Sequence, residues 1–351
     1  MKIVVTCKLT YDGVLGFLKP MSDIENVQII RVFRDDKAKP YNKIIYFTPP
    51  LKINVIIKQL SKLFQMVYFV KRETRLIIGI YELPHGLLAF IIGKLKRIPI
   101  VITLISNPGY KKIRKGLWKA TTNVLLRNSD FVTVTGTRSK QFIVNEGIQA
   151  SKILILPNSI DTNIFKPKNV KKKYDIISVG YLDEAKVPYL IIDAVLRLII
   201  DYPRIKVAIA GDGPMKQLLQ EMITQKNIGK YIELIGYVDD IVEFYNSGKV
   251  FMFTSTTEGL PRTIIESMSC GVPVIASNVG DIGDIVKHGK NGYLIEQNNL
   301  NDFVEKIKIL FNNDILYKSF VEHGITHVND NYTYASANKV WKLIFNKINK
   351  K

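Results

Sequence analysis

The sequence predicts an α/β protein built from two doubly wound parallel sheets, and three observations carry that prediction. Continuous apolar runs of strand length alternate with helix-length segments, which is the pattern of parallel strands buried on both faces. The alternation stops at a passage rich in Pro, Asn and Lys, 157–173, and then restarts. Finally, 351 residues are too many for one comfortable core, while a hydrophobic fraction of 47% suffices for two.

In chain order, the apolar runs at 3–5, 27–32, 44–47, 76–80, 100–104 and 131–134 read as buried strands. Segments 54–64, 86–96 and 111–128 between them read as helices. After residue 173, strands are expected at 175–179, 206–210, 231–234, 250–253 and 272–276, again alternating with helices, and a last helix at 333–347. Ligands of open α/β sheets bind beyond the carboxyl ends of the strands, which puts the expected active site in a cleft between two such domains.

Charge is divided unevenly. Of the net +19, residues 1–165 hold 26 Lys+Arg against 10 Asp+Glu, a net of +16, and residues 166–351 hold 24 against 21, a net of +3. Within the basic half, Tyr110-Lys111-Lys112-Ile113-Arg114-Lys115-Gly116-Leu117-Trp118-Lys119 interleaves cations with bulky apolar groups. Such a segment suits a bilayer interface, with Trp118 as anchor and Lys111, Lys112, Arg114, Lys115 and Lys119 facing anionic lipid. Lys94–Arg97 and Lys71–Arg75 extend the patch if they share its side. No uncharged apolar run is long enough to span a bilayer, so the chain is expected to touch a membrane without crossing it. Nucleic acid is not an expected partner: there is no aromatic stacking platform, zinc finger or helix-turn-helix pattern. Cys7 and Cys270 stand far apart behind no secretory leader, which points to a reduced cytoplasmic setting. The four histidines show no metal-ligand spacing, so no metal is expected.

The chemistry concentrates in Glu258-Gly259-Leu260-Pro261-Arg262-Thr263-Ile264-Ile265-Glu266, two carboxylates eight positions apart around a Gly-Leu-Pro turn. Pro261 has the preset φ of a first helical residue, Gly271 suits the helix end, and Pro273 tolerates a place near the start of the next strand. Glu258 then stands in the loop before a helix, and Glu266 on it roughly 7–8 Å along the axis. Helix-start amides suit phosphate and carboxylates suit hydroxyls, so the ligand expected here carries both.

This segment resembles the donor-binding signature of the retaining glycosyltransferases of family 4, enzymes of the GT-B fold. The family pattern is Glu, seven residues, Glu, a small-residue helix end, then Gly-x-Pro-Val-Ile-Ala. The similarity continues through Asn278-Val279-Gly280-Asp281-Ile282-Gly283-Asp284 and Gly289-Lys290-Asn291-Gly292. Upstream, Leu156-Pro157-Asn158, Ala210-Gly211-Asp212-Gly213-Pro214 and Ile235-Gly236-Tyr237-Val238-Asp239 fall in the family's order. The similarity fades before residue 80. It implies two Rossmann-like domains facing across a cleft: 1–165 facing acceptor and membrane, 166–332 binding a nucleotide sugar, and 333–351 a helix packing back on the first domain.

By the same resemblance, Glu266 accepts hydrogen bonds from the ribose hydroxyls of the donor, and Glu258 positions the transferred sugar. Lys186 neutralises the leaving diphosphate. Gly259 and Leu260 offer backbone amides, Val238 falls where main chain holds the base, and Gly13 sits where the first loop approaches the phosphates. Three departures stand out. Tyr181 replaces the family's diphosphate-binding Arg, for which Arg262 is the nearest substitute. The residues after the strand at 100–104 lack the usual His, so His85 becomes the nearest acceptor-side candidate, although a lone helix-start histidine more often caps or decorates a surface. Asp281 and Asp284 alter the Gly-Gly and Glu that follow. The expected activity is transfer of a hexose from a UDP- or GDP-linked donor, with retention and no metal or other cofactor, to an acceptor saccharide or lipid. The expected place is the inner face of the cell membrane. The departures leave a second reading open, a non-catalytic membrane-associated partner subunit.

Overall fold

In the computed structural model, which describes residues 2–7, 11–24, 27–32, 44–47, 63–109 and 116–350, the chain divides into two compact units. They are Met1–Ser159 with Tyr334–Lys351, and Ile160–Thr333.

In the first unit, strands β1 (Lys2–Thr6), β2 (Gln28–Val32), β3 (Ile44–Phe47), β4 (Thr74–Ile80), β5 (Ile100–Leu104), β6 (Phe131–Val134) and β7 (Ile153–Ile155) pair in parallel in the order β3-β2-β1-β4-β5-β6-β7. Helices α1 (Tyr11–Ser22), α2 (63–69), α3 (Leu87–Lys96), α4 (Gly116–Asn128) and α5 (Thr137–Asn145) belong to this unit. Alternation along a strand sends side chains to opposite faces. Ile3 and Val5 join Phe17, Leu18 and Met21 of α1, whereas Val4 joins Met66 of α2 and Ala89 and Ile92 of α3.

The second unit repeats the plan. Strands β8 (Tyr174–Val179), β9 (Val207–Ala210), β10 (Ile232–Gly236), β11 (Gly248–Phe253), β12 (Val274–Ser277) and β13 (Gly292–Ile295) pair in parallel in the order β10-β9-β8-β11-β12-β13. Helices α6 (Tyr189–Asp201), α7 (Lys216–Gln225), α8 (Ile241–Ser247), α9 (Arg262–Ser269), α10 (Ile282–Ile285), α11 (Leu300–Phe311) and α12 (Asp314–Asn331) flank it. Ile176 and Ile177, one residue apart, fall into separate cores on the two faces. In both sheets the strand order reverses at the first strand, between β1 and β4 and between β8 and β11, which is where doubly wound sheets open a binding crevice. The doubly wound α/β class predicted by the apolar runs is therefore the class found.

The last helix, α13 (Tyr334–Asn349), returns to the first unit and packs on α1. Pro20 lies inside α1 and has no N–H for the Gly16 carbonyl one turn back. The hydroxyl of Ser159 donates to that carbonyl at 2.9 Å, and the Asn338 amide donates to the Pro20 carbonyl at 2.8 Å. Side-chain donors thus occupy backbone acceptors that a proline-broken helix leaves over.

Some elements differ from expectation. The helix expected at 54–64 lies outside the described residues except for its last two, which open α2. Strands β7 and β13 were not anticipated. A turn at Glu82–Gly86 precedes α3. Among the described residues, no helix is long and apolar enough to cross a membrane.

Trp341 of α13 is 1% exposed, among the largest fully buried side chains. Trp341→Ala is expected to destabilise the first unit by about 3–5 kcal/mol, read from urea unfolding followed by circular dichroism. A loss below about 1 kcal/mol would show that α13 contributes little to that core.

Candidate functional site in the second unit

The site forms where the loops after β8 and β11 meet at the reversal of strand order. After β8 the chain makes a short turn, Glu184–Lys186, capped by the Asp183 carboxylate, which accepts from the Lys186 amide at 3.1 Å. Val187 then adopts a left-handed conformation, φ 48°, just ahead of α6. After β11, the Thr254 hydroxyl donates to the carbonyls of Lys186 at 2.7 Å and Val187 at 3.1 Å, and the Thr256 amide donates to Ala185 O at 2.8 Å. These bonds stitch one loop to the other.

On this scaffold the Lys186 ammonium pairs with the Glu258 carboxylate. The Ser255 hydroxyl donates to the same Glu258 oxygen at 2.8 Å, and the ammonium lies 5.2 Å from the centre of the Phe253 ring. Both members of the pair are largely but not wholly covered, at 28% and 13% exposure, so a ligand can reach them. Gly280 holds the far side of the loop at φ +51°. A Cβ there would stand 1.9 Å from the Glu258 carbonyl oxygen, so only glycine allows this approach. The next amide, Asp281 N–H, donates to Gly259 O at 2.9 Å. Gly211 (φ +141°) plays the same part beside Gly180, whose carbonyl oxygen would be 1.8 Å from an added Cβ.

Glu266 lies on α9. Pro261 is the residue before that helix, in an extended conformation with ψ 126°, so the helix opens one residue later than expected from the proline. It ends as the glycine predicts. Gly271 is left-handed, φ +74°, its amide donates to Met268 O at 3.0 Å, and the Val272 amide reaches back to Ser267 O at 3.1 Å. Glu266 is 9% exposed, and both its oxygens are engaged. Oε1 faces the Arg262 guanidinium at 3.3 Å, and Oε2 accepts from the Tyr245 hydroxyl at 3.0 Å. Arg262 is thus drawn to Glu266, one turn along its own helix.

Several expected site residues sit otherwise than the sequence suggests. Leu260 is 2% exposed and its side chain is part of the core under α9. Val238 packs at the edge of the same core, whereas Tyr181 is open to solvent. Gly13 is not in a loop, because helix α1 begins at Tyr11 and encloses it. His85 is no surface cap: it is 1% exposed and hydrogen-bonds Thr6 Oγ1 at 2.7 Å, between the ends of β4 and β1. A cavity of about 480 Å³ adjoins it, lined among others by Glu82, Ser106 and Trp118. Lys111, Lys112, Arg114 and Lys115 lie outside the described residues. Trp118 is mostly exposed on α4, but Lys119 pairs with Glu146 at 2.9 Å and so is not committed to an outside anion.

Sequence reasoning missed Thr254, Ser255, Asp183 and Tyr245. The first two follow β11 at its carboxyl end, where the switch-point rule already looks for ligand contacts. Tyr245 gave no signal, since it lies 21 residues from its partner.

Burial pushes the Glu266 carboxyl above the ordinary carboxylate range, against the opposing pull of Arg262 and the Tyr245 hydroxyl. The folded protein therefore holds this proton more tightly than the unfolded chain, and stability falls as pH rises from the ordinary carboxylate range through the raised one. Glu266→Gln, which keeps an acceptor oxygen but loses the charge, is expected to melt higher than the wild type at neutral pH. The advantage should vanish below the ordinary carboxylate range. A wild type that melts higher at neutral pH would show that the pair with Arg262 outweighs the burial.

Residues 159–327 match the family model described as Glycosyl transferases group 1. An uncharacterized glycosyltransferase of Haemophilus influenzae is 30% identical over 188 residues, 52% of this chain, and the match spans about half of that protein, 52%. The UDP-Gal:alpha-D-GlcNAc-diphosphoundecaprenol alpha-1,3-galactosyltransferase of Escherichia coli is 27% identical over 292 residues, covering 75% of this chain and 73% of that one. The crystal structure of Anabaena HepE in complex with UDP-glucose superposes with a TM-score of 0.83 at 18% identity, covering 99% and 100% of the two chains. Identity that low speaks for the fold alone, and the fold is the same. With its motif series and its matched second unit, the chain resembles the group 1 glycosyl transferases, and its pair of doubly wound sheets is the GT-B fold.

Proposed function

We propose that the protein is a retaining, metal-independent glycosyltransferase that moves a hexose from a UDP- or GDP-linked donor to an acceptor hydroxyl. The observation that carries this reading is the Lys186–Glu258 pair at the switch point, with Glu266 on the adjoining helix. A cation fixed beside the diphosphate stabilises the negative charge that grows as the glycosidic bond breaks. The bond from the sugar's anomeric carbon to the diphosphate oxygen breaks with its electron pair. The acceptor hydroxyl forms the new bond on the same face, and its proton passes to the departing phosphate. Glu258, turned from Lys186 toward the sugar, orients it, and Glu266 holds the ribose hydroxyls.

The acceptor in this proposal is a saccharide carried on a membrane lipid. The E. coli relative's name specifies a diphosphoundecaprenol-linked acceptor, and the basic first unit suits an anionic surface. The cavity at His85 is the acceptor-side candidate within that unit. The protein would then work as a peripheral enzyme on the cytoplasmic face of the membrane.

Because Tyr181 stands where relatives place an arginine, the diphosphate depends heavily on Lys186. Lys186→Ala is expected to lower the single-turnover rate about 10²-fold while changing donor affinity much less, with wild-type turnover persisting in a chelator. A variant as fast as wild type would remove Lys186 from the mechanism, and turnover abolished by the chelator would remove metal independence.

A further inference from the structure

The amino-terminal edge of the first sheet carries a groove that glycosyl transfer leaves unused. It has a volume of about 810 Å³ and runs between the end of α2, the turn into β4 and the end of α3. Lys71, Arg72, Arg75, Lys96 and Arg97 line it, and among the described residues no acidic side chain does. Lys96 is engaged in the scaffold: its ammonium donates to the carbonyls of Val67 (2.8 Å) and Val70, tying α3 to the end of α2. Arg97 leaves α3 in a left-handed conformation, φ 54°. The carboxylate nearest in sequence, Glu73, is drawn to Lys2 at 2.6 Å. Among the described residues, no carboxylate pairs with Arg72, Arg75 or Arg97, all of them exposed.

Cations gathered without counter-charge favour an anion, and guanidinium groups match phosphate oxygens in shape as well as sign. Large exposed apolar side chains on the two helices that border the groove narrow the choice. Phe64 and Tyr68 of α2 are 72% and 68% exposed, and Leu95 of α3 is 77% exposed. The Lys71 ammonium lies 5.7 Å from the centre of the Tyr68 ring. A soluble polyphosphate gains nothing from Phe64 and Leu95, whereas a bilayer takes up both kinds of group.

We infer that this face docks on membranes rich in anionic lipid: Arg72, Arg75 and Arg97 hold headgroup phosphates, while Phe64, Tyr68 and Leu95 enter the interface. The inference rests on the membrane-associated reading above and assigns its contact to a surface built from described residues.

Co-sedimentation of the full chain with vesicles of phosphatidylglycerol and phosphatidylcholine, against phosphatidylcholine alone, tests it. Replacing Arg72, Arg75 and Arg97 together by Ala is expected to lower partition onto the acidic vesicles roughly a hundredfold, at about fivefold per residue, without changing the melting temperature. Phe64→Ser with Tyr68→Ser should keep weak binding at low salt and lose it at high salt, where screening removes the electrostatic part. If the wild type binds and the triple-Ala variant binds equally, the groove falls while the membrane reading stands. A wild type that ignores acidic vesicles overturns both. Binding of tripolyphosphate or single-stranded RNA that the triple-Ala variant loses, with no vesicle binding, would replace the membrane by a soluble polyanion.

Discussion

A carboxylate and an ammonium brought together from loops 72 residues apart fix the geometry on which the proposed chemistry of the second unit depends. The pair does not hold itself. Thr254 and Thr256 bind the carbonyls around Lys186, Asp183 caps its turn, and Gly280 lets the Glu258 main chain come close enough to be bonded through Gly259. Each restraint is a contact to main chain, made by a hydroxyl, a carboxylate, an amide or a glycine that lets two main-chain segments meet. The ion pair is therefore preorganised by backbone, and a diphosphate meeting Lys186 would find a cation whose loop requires little further ordering.

Much of this was legible in the sequence because parallel sheets advertise themselves. Strands buried on both faces read as continuous apolar runs, and the runs at 76–80, 100–104 and 131–134 became β4, β5 and β6 with little change. Short strands escaped. β7 has three residues and β13 four, and the glycine-rich entry to β13 looks like loop chemistry. The first loop was misjudged for a related reason. Gly13 resembles a phosphate-loop glycine, yet it lies in α1, where Pro20 breaks the hydrogen-bond ladder and Ser159 supplies the donor for the Gly16 carbonyl.

The site was legible as a series of motif residues but not as a set of contacts. The spacing of Glu258 and Glu266 placed one in a loop and one on a helix, which is where they are found. It said nothing of Tyr245 or Ser255, because partners from other elements leave no local trace. Arg262 shows the converse. It was the nearest substitute for the family's diphosphate-binding arginine, but a glutamate four residues on is the natural partner of an arginine on a helix, and that pairing is the one present. His85 was undervalued by the same local reasoning, since nothing near it in sequence reveals that Thr6 lies within hydrogen-bond reach.

Glu266 is the point at which folding and chemistry pull apart. An acid buried among apolar neighbours opposes the folded state, and Arg262 and Tyr245 only partly relieve it. A residue chosen for stability alone would be apolar here, as are Ile264, Ile265 and Met268 around it on the same helix. The second unit supplies the missing stability elsewhere, in two cores that flank its sheet and in a glycine-terminated α9 whose Glu266, Ser267 and Met268 carbonyls are engaged. In the proposed function, a carboxylate at such a position is there to bind the donor's hydroxyl groups. Those hydroxyls would add to the contacts that Arg262 and Tyr245 already make with it.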